Sequence, residues 1–472
     1  MALKPEESFK FEEDIMYDFL FKGGMYPDFE TKEMVKGDVA VKDGKIVAVG
    51  DVEGEAKNVI DATGLIVSPG FIDIHMHEED FQNEAHEYFI SDLMLQQGVT
   101  TCLGGNCGKA RQRLGEFLAV MEELGGSPVN FMMQAGYNGE RTKLGIGRYE
   151  AATQEQIEYL TKIMTEEIDQ GCIGISFGLE YDPGITFDEI MYVLNAQPQE
   201  DLFVSAHYRD DSTGAIKSIK EMIDIVDQSG KKFQIAHLSS CSAMGQMDEA
   251  LPMINEAHLR NPKLDYDTYP YAAFSTSIGS AVFDEGCFEQ WGKSYENIFM
   301  TSGKYANQFC TKETFYEIRR DDPTQYVVAF VMNEDEIRNA IANPVCGMVA
   351  SDGIVRLKSG HPRAAGTFPR VLGKYVREEK ALSMVDALRK MTMTPATRMD
   401  LGHRKGQIKV GMDADITVFN PETIIDGATF ESLYAKKPEG IEYVLVNGVL
   451  ALEHSEIIND RAGEFIPSKY KK

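Results

Sequence analysis

From about residue 65 to residue 351, apolar runs of strand length alternate with stretches whose apolar positions recur at helical spacing. This alternation argues for parallel strand–helix units. Leu65-Ile-Val-Ser-Pro-Gly-Phe-Ile-Asp-Ile opens the series as a buried strand, and Thr100 to Leu103 follows a helix around Asp92-Leu-Met-Leu. Val129-Asn-Phe-Met-Met comes after the helical run Leu114 to Leu124. Thr153-Gln-Glu-Gln reads as a capping box; Ile157, Leu160, Met164 and Ile168 follow it, and Gly171 precedes the strand Cys172-Ile-Gly-Ile-Ser. Leu202-Phe-Val-Ser-Ala, Phe233-Gln-Ile-Ala, Leu264-Asp-Tyr-Asp-Thr-Tyr and Gly347-Met-Val-Ala-Ser bring the count to eight. An α/β chain with eight such strands predicts a closed (β/α)8 TIM barrel over an open doubly wound sheet.

The two chain ends read differently. Short strands such as Tyr17-Asp-Phe-Leu-Phe, Ala414-Asp-Ile-Thr-Val-Phe and Ile441-Glu-Tyr-Val-Leu-Val stand near the hairpin signals Asp43-Gly44 and Asn447-Gly448. They predict a small β-sandwich domain built from residues 1–66 and 405–472, with the barrel, residues 67–404, inserted between its halves. The interval from Phe274 to Cys346 is too long for one helix, is rich in aromatics and carries the single tryptophan, Trp291. It predicts a lid-like insertion at about 276–345. Ser468-Lys-Tyr-Lys-Lys reads as a frayed tail.

Composition narrows the functions available. Hydrophobic residues at 43% and charged residues at 26% are globular values for the 472-residue chain. A net charge of −28 repels phosphates and anionic lipid, which argues against a nucleic-acid or membrane partner. Met1-Ala-Leu-Lys-Pro-Glu-Glu-Ser lacks the charge-then-apolar order of a secretory signal, so a cytoplasmic location is expected. The seven cysteines form no Cys-x-x-Cys pair, which fits a reducing compartment and free thiols.

The candidate chemistry lies at strand ends. His75 and His77 flank Met76 at the end of the first strand, and the period of two points both imidazoles to one side. Taken alone the pair also fits a polar strand end. His207 and His237 end the fifth and sixth strands, placing four of nine histidines where barrel enzymes keep their active sites. Cys107, in Gly104-Gly-Asn-Cys-Gly108, offers a soft anionic ligand after the second strand; Cys102, Cys172 and Cys241 are assigned to packing. These donors predict zinc. Asp352, at the end of the eighth strand, stands where a carboxylate can take a proton from an attacking water, although Asp-Gly is also a plain turn former. Arg363, in His361-Pro-Arg363, can form a bidentate pair with a substrate carboxylate or a surface ion pair.

Pro69-Gly-Phe-Ile-Asp-Ile-His-Met-His77 resembles the opening of amidohydrolase-superfamily barrels, and Gly406-Gln-Ile-Lys-Val-Gly-Met-Asp-Ala-Asp-Ile-Thr-Val-Phe419 resembles their return to the β-domain. Gly105-Asn-Cys-Gly, Gly178-Leu-Glu-Tyr-Asp-Pro-Gly, Asp267-Thr-Tyr-Pro-Tyr, Ser351-Asp-Gly and His361-Pro-Arg-Ala-Ala-Gly resemble the N-acyl-D-amino-acid deacylases within that superfamily. The resemblance runs from about Tyr17 to about Asn447. It implies zinc-dependent hydrolysis of a linear amide in a small N-acyl amino acid. It also implies a tight zinc on Cys107, His207 and His237, and a second, weaker site on His75, His77, Cys107 and Asp352. Tyr269, Ser275 and Arg363 would contact the substrate carboxylate, with Tyr181 near it. Ser239 departs from the family, which often has lysine two residues after the sixth-strand histidine. A cyclic-amide hydrolase is the nearest alternative, and a non-catalytic binding protein on the same fold is an alternative of another class.

Overall fold

The computed structural model describes residues 16–472, so the Met1–Ser8 segment read above for targeting lies outside the described residues. All eight expected barrel strands form. Phe71–Asp73, Val99–Gly104, Asn130–Gly136, Gly174–Gly178, Phe203–His207, Lys232–Ile235, Leu264–Thr268 and Met348–Val349 pair in parallel, each with the next. Closure comes just beyond the last strand. A parallel bridge joins Met76 to Gly353, with Asp352 N–H donating to His75 O at 2.7 Å and His77 N–H donating to Gly353 O at 2.9 Å. The hydrogen bonds that close the barrel therefore run through candidate site residues.

The expected first strand is divided. Ile66–Pro69 belongs to the terminal sheet, antiparallel to Ile416–Phe419, and only Phe71–Asp73 enters the barrel. Gly70 is the joint: its N–H donates to Asp415 O at 2.7 Å, and a side chain there would collide with Thr100. The terminal sheet has nine strands, drawn from Met16–Pro69 and from Ile416–Ile457, and its two halves meet where Ile66 pairs with Phe419 and Pro69 with Ile416. Both hairpin turns form as the sequence predicts, with positive φ at Asp43 (49°), Gly44 (72°), Asn447 (52°) and Gly448 (79°), the signature of type I′ turns.

The capping box at Thr153 is present: its hydroxyl accepts from Gln156 N–H at 3.3 Å and starts the helix Gln154–Gln170, whose apolar face packs on the barrel. Residues 274–329 form a separate four-stranded sheet with its own core of Phe274, Phe283, Phe288, Trp291 and Phe315. Trp291 Nε1–H donates to Asp211 Oδ2 at 2.7 Å, tying this unit to the loop after the fifth strand.

The C-terminal tail is docked, not frayed. Ile466 N–H donates to Phe131 O, Ser468 N–H to Gly171 O and Lys472 N–H to Asp169 O, so the tail closes the base of the third strand and the C-terminal end of the helix Gln154–Gln170. None of the seven cysteines is in a disulfide. Among the described residues no helix is long and apolar enough to cross a membrane.

Candidate metal centre

The sequence-predicted side chains converge at the C-terminal mouth of the barrel. His75 and His77 leave the first strand, Cys107 the loop after Val99–Gly104, His207 the end of Phe203–His207, His237 the turn after Lys232–Ile235, and Asp352 the turn after Met348–Val349. Three of them sit in left-handed backbone: Cys107 (φ 54°), His237 (φ 33°) and Asp352 (φ 47°). For a non-glycine residue that conformation costs on the order of 1–3 kcal/mol and recurs where side chains must be aimed for function.

The donor atoms form two overlapping groups. His75, Cys107, His237 and Asp352 each offer an atom within 4.8 Å of the others, and His207, His237 and Cys241 do the same. Cys107 Sγ lies 3.3 Å from His75 Nε2 and 3.4 Å from His237 Nε2. Asp352 Oδ1 lies 3.4 Å from His75 Nε2 and 3.2 Å from His77 Nε2. His207 falls in the second group and not the first, and His77 belongs to neither, standing beside the first through Asp352.

Cys241 is buried in the core, as expected, and also faces the site. The short helix Leu238–Ser242 starts at His237 and turns the thiol to 3.6 Å from His207 Nε2. Glu180, also unassigned from sequence, brings Oε2 to 2.5 Å from that nitrogen.

The groups suit a divalent metal. Burial holds His77 down to about 4, His207 to about 3, and His237 well below its ordinary value, so all three imidazoles are neutral at physiological pH and able to donate a lone pair. Their Nδ1 atoms are buried without a hydrogen-bond partner. Zinc bonds of about 2.3 Å to sulfur and about 2.0–2.1 Å to nitrogen put two tetrahedral ligands about 3.6 Å apart, close to the sulfur–nitrogen separations here.

Asp267 supports the donors and had no role from sequence. Its Oδ1 accepts from His75 Nδ1 at 3.0 Å and from His237 N–H at 2.7 Å, while Oδ2 accepts from Gln234 at 3.2 Å. One carboxylate thus fixes a ring in the first group and the backbone of the residue shared by both. The signal available was an aspartate at a strand end, two residues before Tyr269.

Arg363 lies across Asp352, with Nη2 2.9 Å from Oδ2. Burial alone would raise the Asp352 carboxyl, but this guanidinium and the nearby imidazoles outweigh it and hold it well below the usual range. Arg363 also donates to Ser275 O at 3.2 Å and stacks 4.5 Å above the Tyr269 ring. Ser239, where a lysine was expected, bonds the Thr268 hydroxyl. Arg209 forms a bidentate pair with Glu221 at 3.0 and 2.8 Å, a structural role. Tyr181 packs 4.5 Å from the His207 ring and separates the inner cavity from an outer cleft of about 620 Å3 that includes Lys109, Arg111, Arg148 and Arg356.

A parallel eight-stranded barrel that gathers imidazoles, a thiol and a carboxylate at its C-terminal mouth defines the class of metal-dependent barrel hydrolases. The model of the Amidohydrolase family matches residues 66–451, and the chain belongs to that family. It is 28% identical over 482 residues to a D-aminoacylase of Alcaligenes xylosoxydans xylosoxydans, covering 95% of this chain and 97% of that protein. A crystal structure of D-aminoacylase superposes with a TM-score of 0.84 at 26% identity, over 96% of this chain and 100% of the other. The N-acyl-D-glutamate deacylase of Bordetella bronchiseptica, solved with zinc and a phosphonate mimic of the tetrahedral intermediate, does so at 25% identity with the same TM-score and coverage.

Proposed function

We propose that the chain hydrolyses the amide bond of N-acyl-D-amino acids, giving a carboxylate and a free D-amino acid. One observation carries the reading: beside the metal donors lies a buried cation with donors to spare. Arg363 Nε and Nη1 and Ser275 Oγ are all buried without a partner, and Tyr269 lies under the same guanidinium. A carboxylate, planar and able to accept two parallel hydrogen bonds, matches that set. Bound there, a substrate's α-carboxylate sets the adjacent amide close to Asp352. The likeness to D-aminoacylase and to the zinc-bound N-acyl-D-glutamate deacylase supports a linear amide over a cyclic one.

We assign Cys107, His207 and His237 to a tight zinc, and His75 and His77 with Cys107 and Asp352 to a second, weaker site. When bound, such a metal supplies Lewis acidity and a nucleophile at neutral pH. Asp352 takes a proton from the attacking water at Oδ1 and returns it to the departing nitrogen. Arg363 holds Oδ2 of the same carboxylate, so substrate binding and base orientation share one side chain. Tyr269 and Ser275 complete the carboxylate pocket, with Tyr181 on its border. The partner is a small N-acyl amino acid, met in the cytoplasm. The test is Asp352→Asn with metal content equal to wild type, for which a fall in kcat of about 10²–10⁴-fold is expected; near-normal kcat would remove Asp352 from this role.

A further inference from the structure

Cys241 is the one thiol near the site that the chemistry above leaves unused. It is 2% exposed, and it lines the inner cavity with Glu180, His207, His237 and Asp352. The contrast with Cys102 and Cys172 is informative, because those two are buried thiols with no side-chain hydrogen bond among the described residues, whereas Cys241 aims its Sγ at an imidazole nitrogen 3.6 Å away. His207 Nε2 has two neighbours, the Cys241 sulfur at 3.6 Å and Glu180 Oε2 at 2.5 Å. His207, His237 and Cys241 each offer a donor atom within 4.8 Å of the others, a spacing that one bound cation can span.

Local structure explains how the thiol comes to be there. His237 caps the short helix Leu238–Ser242, and Cys241 lies four residues on, within that one turn. The His207 and His237 rings stand edge to face with centroids 4.5 Å apart. The 3.6 Å sulfur–nitrogen separation equals the edge of a tetrahedral zinc site with one thiolate and one imidazole, about 3.6 Å. His237 belongs to both donor groups, one of which contains Cys107 and the other Cys241.

We propose that Cys241 is a ligand of the metal held by His207 and His237, giving that metal two thiolates, Cys107 and Cys241. Binding releases the Cys241 thiol proton and places a second soft anion beside the ion. The site then selects zinc and other thiophilic cations over magnesium or manganese. The inference rests on reading the barrel mouth as a metal centre, and its test reads metal ligation directly, without any deacylation assay.

The experiment is zinc K-edge X-ray absorption on the full-length protein loaded to one zinc per chain, alongside zinc affinity by chelator competition. Wild type is expected to show two sulfur neighbours at about 2.3 Å. Cys241→Ser is expected to lose one of them and to bind zinc about tenfold or more weakly. Cys241→Asp, which restores an anionic donor, is expected to recover part of the affinity. A single sulfur in wild type overturns the proposal, and so does a folded Cys241→Ser protein with unchanged sulfur count and zinc affinity. The wild-type spectrum decides the matter should the serine variant fail to fold. Retained two-sulfur ligation in a protein that cleaves no N-acyl-D-amino acid would sink the proposed substrate and leave the ligand assignment standing.

Discussion

Replacing Arg363 by lysine separates the two jobs assigned to it, because the positive charge stays and the planar fork goes. In the structure Nη2 is engaged by Asp352 at 2.9 Å and Ser275 O at 3.2 Å, while Nε and Nη1 are buried and free for a substrate. A lysine ammonium has three donors on a flexible stem and can keep the pair with Asp352, but it cannot present two parallel donors to a carboxylate as well. Losing one charge-assisted hydrogen bond to the substrate is worth about 1.5–3 kcal/mol, and at about 1.4 kcal/mol per decade this corresponds to about 10–150-fold in kcat/KM. The assay compares N-acetyl-D-amino acids with their α-carboxamides, in wild type and in Arg363→Lys. Wild type is expected to prefer the acid, and the variant to lose most of that preference while its residual rate on the amide changes little. An equal loss on acid and amide would refute carboxylate recognition by Arg363 and leave it only as the partner of Asp352.

Asp267→Asn removes the acceptor that holds both His75 Nδ1 and the His237 backbone N–H, and zinc affinity by chelator competition is expected to fall about 10–100-fold with the fold retained; unchanged affinity would make Asp267 merely structural. Glu79 is buried, accepts from Ser91, and is pushed by that burial from 4.5 up to about 7. The folded state therefore holds a proton that the unfolded chain has released between pH 4.5 and 7, and this contribution to stability, full at low pH, is lost as pH rises through that window. Denaturant unfolding of wild type against Glu79→Gln is expected to show the variant gaining about 3 kcal/mol relative to wild type from pH 4.5 to pH 8, and parallel profiles would contradict it.

Much of this architecture was legible in the chain. The eight barrel strands and both hairpins carry local signals, namely apolar runs of strand length, a capping box at Thr153 and Asx-Gly pairs at positive φ. The histidines were legible for a related reason, since each ends such a run and strand ends converge at the barrel mouth. What escaped depended on contacts between distant segments. Gly70 reads as part of one continuous strand until Asp415 claims its N–H for another sheet. The tail from Ile466 to Lys472 looks polar and loose, yet it is fixed by backbone carbonyls of Phe131, Gly171 and Asp169. Asp267 and Glu180 are ordinary acids in sequence and gain meaning only through His75, His237 and His207. Cys241 did leave a trace, the His-x-x-x-Cys spacing, but that spacing points to a metal only if a helical turn begins at the histidine itself.

The central claim, a metal-dependent deacylase selective for D-amino acids, is tested most directly by assaying zinc-quantified protein on matched N-acetyl-D- and N-acetyl-L-amino acids and on cyclic imides, before and after metal removal. The account predicts hydrolysis of D-substrates that disappears on chelation and returns with zinc, and activity confined to L-substrates or to cyclic imides would contradict it.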